Sequence, residues 1–348
     1  MDQLDQLDLL RAATPVRTRL ADLAGQRWLW PLVALALILL VDGVISPGFF
    51  SVRIVEGRLF GSVIDVLYRG TPTALVALGM AVVIGTKGID LSVGAVIAIV
   101  GAVMTDLIHR EMAAPAVLAL SLGTGVLCGL WNGVLVAILD IQPIIATLIL
   151  MVAGRGIAQM IDTGMIITFR SDFFSAISTG QIMTVPSRIL VAVATFAVLW
   201  LFLRRTALGL FIEAVGGNAA AANLAGVEAR AVKIGAYMLS GLCSGIAGVL
   251  ICADVRGSDA NNAGLFIELD AILAVVIGGA SLSGGRFYLG LTVVGVLIIQ
   301  SLTTSILVSG LPPQYNLVVK AIVVLIVLLL QARPVREAAF GLVGRRKT

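Results

Sequence analysis

The sequence predicts an all-α fold: a polytopic transmembrane helical bundle of about ten spans, with a broken eighth span and both termini cytoplasmic. Three observations predict it. Only 13% of the 348 residues are charged and the mean hydropathy is +1.06, which excludes a soluble globular chain. Continuous apolar runs of about 20 residues, enough to cross a hydrocarbon core at about 1.5 Å per residue, recur along the whole chain, whereas the spans of a β-barrel alternate. Most Lys and Arg residues fall on one side of these runs once the N-terminus is placed inside.

Residues 1–27 form a cytoplasmic N-terminal segment in this reading. They are polar, contain acidic residues and lack the apolar stretch and Ala-x-Ala site of a cleavable signal peptide. Leu4, Leu7 and Leu10 with Arg11 can make a short interfacial helix. The transmembrane domain, 28–332, holds spans expected at 28–45, 63–84, 91–108, 116–138, 141–161, 187–203, 233–253, 267–279, 288–308 and 316–332. Trp28 and Trp30 stand where an interfacial aromatic belt places them. The eighth span is too short for a simple crossing and runs into GGASLSGG (278–285), so a broken or re-entrant helix shielded by protein is expected. Residues 333–348 are a basic cytoplasmic tail. With this topology Arg11, Arg17, Arg19, Arg27, Lys87, Arg204, Arg205, Arg230, Lys233, Arg286 and the basic tail all lie inside. Segment 162–186 lies outside, where Phe169, Phe173 and Phe174 are placed to cover the external mouth.

The 38 glycines are concentrated in the spans, where small residues let helices approach closely. SLGTGVLCGLWNG (121–133) and SGLCSGIAG (240–248) read as packed helix faces. AVVIG occurs at 81–85 and again at 274–278, each time before a Gly/Ser-rich break, a weak sign of an internal repeat.

Residues 204–233, RRTALGLFIEAVGGNAAAANLAGVEARAVK, are the long polar interruption on the cytoplasmic side. Asn218 can N-cap a short helix over 219–225, and Gly226 can close it in the left-handed conformation. Alanine leaves a slim rod. Such a rod suits the groove of another protein; the plainer reading is a cytoplasmic loop with a surface helix.

An ionisable group deep in a bilayer costs about 2.5–3.5 kcal/mol on insertion scales, so each needs a reason. Asp90, in GTKGIDLSVGA (85–95), either caps the third span with Ser92 nearby or lines a cavity. Arg155 either snorkels to the outer interface or belongs to the pathway. Asn132 and Thr147 either bridge helices or contact a polar solute. Glu268 and Asp270 open the eighth span, where the helix dipole favours acids.

Several chemistries are excluded. Gly79 to Lys87 does not match a phosphate-loop motif. LSGGR (282–286) resembles the signature of ABC-type ATPases but has no such loop to work with. One histidine, His109, argues against a His-dependent hydrolase or metal site. Cys128, Cys243 and Cys252 have no metal-ligand spacing and suggest no disulfide framework. GLCSG (241–245) misses the G-x-S-G of rhomboid-type proteases. The scattered positive charge, net +4, marks topology rather than nucleic-acid binding.

GIDLSVGA (88–95), ATLILMVAGRG (146–156), AVGGN…A..AGV (214–227) and ELDAILAVVIGGASLSGGR (268–286) together resemble the ribose-type permeases, the membrane subunits of bacterial ABC importers for monosaccharides. The likeness runs from about residue 30 to 332. EGRLFGS (56–62), GLWNGVLVAIL (129–139), RRTALGLFIEAVG (204–216) and GSDANNAGLFIELDAILAVVIGG (257–279) bring it nearest to the galactofuranose subgroup. The chain departs from the pattern at Lys87, where Gly is expected; Lys87 then adds a positive charge that can pair with Asp90. It departs also at Gly217, where a larger residue is expected.

The resemblance implies a permease in the bacterial inner membrane, not itself an enzyme, that passes galactofuranose or another pentose or hexose to the cytoplasm. It implies a heterodimer with a second, related permease, a periplasmic sugar-binding protein, and a cytoplasmic ATPase that carries the ATP and Mg; this chain itself holds no cofactor or metal. Residues 204–233 then correspond to the segment that rests in the ATPase cleft, with Glu213, Gly217, Asn218, Ala221, Ala222 and Gly226 as coupling positions. The expected sugar path runs by Asp90, Ser92, Asn132, Thr147 and Arg155. A secondary transporter, which would carry paired carboxylates or unwound ion sites at the midplane, is the other reading; an intramembrane enzyme fails for want of a nucleophile–base pair.

Overall fold

The computed structural model describes residues 28–46, 48–55, 57–308 and 315–331. The expected interfacial helix at Leu4 to Arg11 and the basic tail lie outside the described residues. The chain runs through α1 (Leu29–Ile45), a hairpin of β1 (Arg53–Val55) and β2 (Arg58–Phe60), α2 (Ser62–Gly85), α3 (Val93–His109), α4 (Ala114–Ala137) and α5 (Pro143–Ile161). A folded connection follows, made of β3 (Ile167–Thr168), the short α6 (Asp172–Ser178), β4 (Gln181–Ile182) and β5 (Val185–Pro186). Then come α7 (Ser187–Arg205), α8 (Leu208–Leu224), α9 (Ala229–Val255), β6 (Gly257–Ser258), α10 (Ile267–Ile277), α11 (Leu289–Val308) and α12 (Tyr315–Gln331).

Each expected span coincides with a helix to within a few residues. Among the described residues six helices, α2, α4, α5, α7, α9 and α11, are long and apolar enough to cross a membrane. Proline starts two of them, at the first turns of α4 and α5, where its missing N–H has no helical partner to lose. α10 has 11 residues, about 16 Å at 1.5 Å per residue, half of a hydrocarbon core of about 30 Å. α10 is thus too short to cross by itself, and it runs into the Gly-rich stretch 278–285.

α2 and α9 form the centre. Of the most apolar stretch of α2, 78% is buried, against 22% for α4 and α7 and 28% for α5; a helix apolar all round and buried all round is a core helix. The outer helices turn Leu148, Val152, Val193 and Val198 outward. α4 lies along α9 on a stripe of small residues. A Cβ on Gly125 would lie 2.6 Å from the Gly241 carbonyl oxygen, one on Gly129 2.9 Å from Met238 Cα, and one on Gly133 2.9 Å from Ile234 Cα. Gly79 of α2 meets Ser240 in the same way. The two faces expected from 121–133 and 240–248 thus pack against each other, backbone on backbone.

Two buried cations, Arg188 and Lys320, are paired across helices. Arg188 of α7 meets Asp254 of α9 at 2.8 Å and lies over the ring of Tyr68, whose hydroxyl donates to the same carboxylate. Asp270 of α10 has more than a helix dipole to offset its charge: Lys320 Nζ from α12 donates to both its oxygens at 2.9 and 3.0 Å. In segment 162–186, Phe174 and Phe169 insert between helices and pack on Val100, Met104 and Val249, so they seal the bundle rather than hang over it. The repeated AVVIG closes α2 and α10, each before a glycine-rich turn into the next helix.

Gly129→Val or Gly241→Val is expected to lower the thermal midpoint of the detergent-purified chain, overpacking costing about 1–3 kcal/mol. Gly123→Ala, where a Cβ meets nothing within 4 Å, is expected to leave the midpoint unchanged or raise it.

Candidate functional site

One end of the bundle carries Lys87, Arg204, Arg205, Arg230 and Lys233, and the polar interruption folds across it. α8 is one helix broken at Asn218, whose φ of −158° and ψ of 100° are extended. Asn218 Oδ1 accepts from the Ala221 N–H at 3.0 Å, the N-cap that its side chain predicts. Gly226, at φ +86°, closes the second part: its N–H donates to the Asn223 carbonyl, and the Val227 N–H to Ala222, each at 3.0 Å. Asn223 Oδ1 in turn accepts from the Ala229 N–H at 3.0 Å and so joins this helix to the start of α9. The capped rod expected over 219–225 is present, preceded by a helical stretch, 208–217, that its composition did not announce.

What fastens the rod to the bundle is backbone. A Cβ on Gly216 would overlap the Gly85 carbonyl and lie 2.6 Å from Gly285 N. The Gly285 N–H donates to the Gly85 carbonyl at 3.1 Å. Gly85 ends α2, Gly216 sits within α8, and Gly285, with φ +83°, lies in the connection from α10 to α11. Glu213 is half-buried beside this junction, and Gly217 faces open space.

The outward face of the rod is apolar and slim. Ala220 and Ala221 are exposed, and Leu224 is 92% exposed. Ala222, grouped with Ala221 on sequence, is buried and packs inward, because successive residues of a helix are rotated by about 100° from one another. Leu224 is not among the coupling positions expected from the sequence, although it is the bulkiest apolar side chain in GNAAAANLAGVE (217–228).

Beside the rod lies a half-open cavity of about 540 Å³, with Lys87, Gln142, Asn218, Lys233 and Tyr237 on its wall. Tyr237 is fully buried and its hydroxyl donates to the Ile89 carbonyl at 3.4 Å. Next to Ile89 is a buried polar knot. Asp90 Oδ1 accepts from the Ser92 hydroxyl at 2.6 Å and the Ser92 N–H at 3.1 Å. Its Oδ2 accepts from the Ser240 hydroxyl at 2.8 Å. Asn132 Nδ2 donates to Ser92 Oγ at 2.8 Å and more weakly to Asp90. Asp90 thus ties the start of α3 to α4 and α9. It is 1% exposed and sits outside the cavity wall. The expected Lys87–Asp90 pair does not form: among the described residues the ion pairs are Arg110–Asp106, Arg188–Asp254 and Lys320–Asp270. Lys87 is exposed while Asp90 is sealed behind Tyr237.

Thr147 is buried and donates to Pro143 at 2.9 Å and to Ile89 at 3.3 Å, so four of the five expected path residues gather around one turn. Among the described residues Asn132 Oδ1 has no donor, nor has Ser244 Oγ further along α9 a partner. Arg155 stands apart, about 12 Å further along α5 at 1.5 Å per residue. Its Nη1 donates to the Ala260 and Ala263 carbonyls at 2.9 and 2.7 Å and holds the loop that feeds α10. Asp162 clamps that loop too, accepting from Ser258 Oγ and the Ala260 N–H. Partial burial raises the pKa of Asp259 in this loop, but the Asn262 side chain and the Asn261 and Asn262 N–H groups outweigh it and hold it below the ordinary carboxylate value. Among the described residues no group of three or more His, Cys, Asp or Glu side chains is placed to hold a metal ion.

The family model described as branched-chain amino acid transport system / permease component matches residues 62–328, and so takes in α2 to α11, the glycine junction and the polar knot. The chain belongs to this permease family. The permease is 56% identical over 328 residues to the galactofuranose transporter permease protein YtfT of Escherichia coli (strain K12), covering 93% of this chain and 96% of that one. It is 34% identical to the ribose import permease protein RbsC of the same organism, over 86% of this chain and 91% of the relative. It is 33% identical to the fructose import permease protein FruF of Bifidobacterium longum, over 91% of each. No solved structure matches the permease.

Asn218→Ala is expected to cost about 0.5–2 kcal/mol of local stability. Amide hydrogen exchange over residues 219–224 checks it: exchange speeds up there and stays unchanged in α2.

Proposed function

We propose that this chain is the membrane-spanning subunit of an ATP-driven importer that passes a monosaccharide, galactofuranose, to the cytoplasm across the bacterial inner membrane. The observation that carries the proposal is the capped rod at the basic end, exposing Ala221 and Leu224 and fastened by backbone to the bundle. The 56% identity to a galactofuranose permease supports the choice of sugar. In this reading α1 to α5, α7 and α9 to α12 make ten crossings with both ends of the chain in the cytoplasm, which the basic end supports. The chain works beside a second, related permease and a periplasmic sugar-binding protein. ATP and Mg are held by a partner ATPase, and the chain itself catalyses nothing.

The mechanism follows from the junction. Closure of the ATPase pushes on Ala221 and Leu224. With Gly216 seated directly on Gly85 and Gly285, no side chain can yield between the rod and α2 or the turn into α11, so displacement passes to both. Through α9 and Tyr237 it also reaches Ile89 and the Asp90 knot. Separation of α4 from α9 exposes Asn132, Ser92, Asp90 and Thr147, whose few polar atoms guide a hydroxylated solute without holding it. Glu213, Gly217, Asn218 and Gly226 shape the coupling segment, and Ala222 seats it. Arg155 positions the outer loop at the entrance of the path.

Ala221→Trp and Leu224→Glu are each expected to abolish co-purification of the ATPase while the chain folds normally. Ala222→Trp is expected to lower the thermal midpoint as well. Stable sugar uptake in proteoliposomes lacking any ATPase would overturn the reading. The path assignment has its own check: Asn132→Leu and Arg155→Leu should each reduce uptake at least severalfold in an assembled complex, since each leaves buried polar partners unmatched.

A further inference from the structure

The half-open cavity beside the rod has more positive charge and more free donors than a path for a neutral sugar needs. Lys87 and Lys233 both line it, and neither belongs to an ion pair among the described residues. Its one acidic residue, Asp140, is likewise outside those pairs. Asn218 spends its carbonyl oxygen on the Ala221 N–H, which leaves the NH2 of that amide to donate, and the Gln142 amide stands on the same wall.

Lys87 is the informative residue. Its φ is +68°, a conformation that a side chain disfavours and glycine adopts freely. Topology alone could be served by a lysine at any neighbouring position. The backbone of this turn is held from outside: a Cβ on Gly284 would lie 2.7 Å from Lys87 Cβ and 3.0 Å from its Cα. Gly284 therefore packs directly on this turn, and Lys87 occupies a left-handed position that its side chain disfavours.

We propose that this cavity binds a phosphate group, clamped between the Lys87 and Lys233 ammonium groups with the Asn218 and Gln142 amides as further donors. Two lysines lining one cavity suit an acceptor-rich anion, whose hydrogen bonds to ammonium groups are charge-assisted. A volume of about 540 Å³ admits either a soluble sugar phosphate or the headgroup of an anionic lipid. The bound phosphate joins four pieces of the structure: the turn after α2, the α4–α5 connection, the start of the capped rod and the first turns of α9. It would therefore restrain the rod from moving relative to the bundle. That consequence rests on the importer reading; the binding does not.

The experiment uses the full chain in nanodiscs, without any ATPase, so its outcome is independent of whether the chain couples to one. Acylation rates of the Lys87 and Lys233 amines are followed by mass spectrometry. Glucose 6-phosphate at ten times its dissociation constant is expected to slow both about tenfold, or, for a lipid source, phosphatidylglycerol in the disc does so relative to phosphatidylcholine alone. Glucose is expected to have no effect. Lys87→Gly relaxes the backbone and removes one ammonium; it should keep or raise the unliganded thermal midpoint and lose the upward shift that the effective probe produces in the parent chain. Unchanged acylation with both probes, equal protection by glucose, or an undiminished thermal shift in Lys87→Gly would each overturn the proposal.

Discussion

Three stretches of bare backbone meet at the basic end of the bundle, and the rest of the structure is arranged around that contact. Gly85 closes the central helix, Gly216 lies in the segment that crosses the bundle end, and Gly285 sits in the connection after the short α10. They approach so closely that a single methyl group on Gly216 has no room. The reason is mechanical as much as steric. A side chain between two helices is compliant, since it can change rotamer under load. Peptide against peptide cannot, and the hydrogen bond from Gly285 to Gly85 keeps the contact in register.

The same economy governs the interior. Along α4 and α9 glycines replace side chains, so the helices touch by their backbones and the interface is set by shape. In this tight seam the polar knot of Asp90, Ser92, Asn132 and Ser240 is the exception. A carboxylate so deeply buried is tolerable only when hydrogen-bonded from several sides, and it receives donors from Ser92 and Ser240 and, more weakly, from Asn132. Tyr237 separates this knot from the cavity at the basic end. Gly88 makes room for it: a Cβ there would lie 2.6 Å from the Tyr237 hydroxyl oxygen. The turn that carries Lys87 on its outer side thus carries Asp90 on its inner side, with one aromatic ring as the partition.

Much of this was legible in the chain before any coordinates. Apolar run length located the helices to within a few residues, and the brevity of the run after Glu268 foretold α10. Asn218 and Gly226 announced their caps because capping is local: a side chain bonds an N–H three residues away, and a glycine takes a positive φ on its own. The partners of Asp270, Asp254 and Arg155 were not legible. Lys320, Arg188 and the Ala260 and Ala263 carbonyls are all distant in sequence. The pairing of Lys87 with Asp90 looked natural at three residues apart, but burial of one and exposure of the other set them on opposite sides of Tyr237. Ala221 and Ala222, alike in sequence, were divided by helix phase, which only the docking of the rod on Gly85 and Gly285 sets.

The sequence by itself determined that this is a membrane-spanning helical bundle with a capped polar segment on its basic side, because hydropathy, charge and capping act over one helix or one turn. The tertiary structure decided which glycines touch, which polar groups share a knot, which face of the rod is outward, and that Lys87 and Lys233 share a cavity. Those depend on the helices' rotation and height relative to one another, and these are set by packing between segments that lie far apart along the chain.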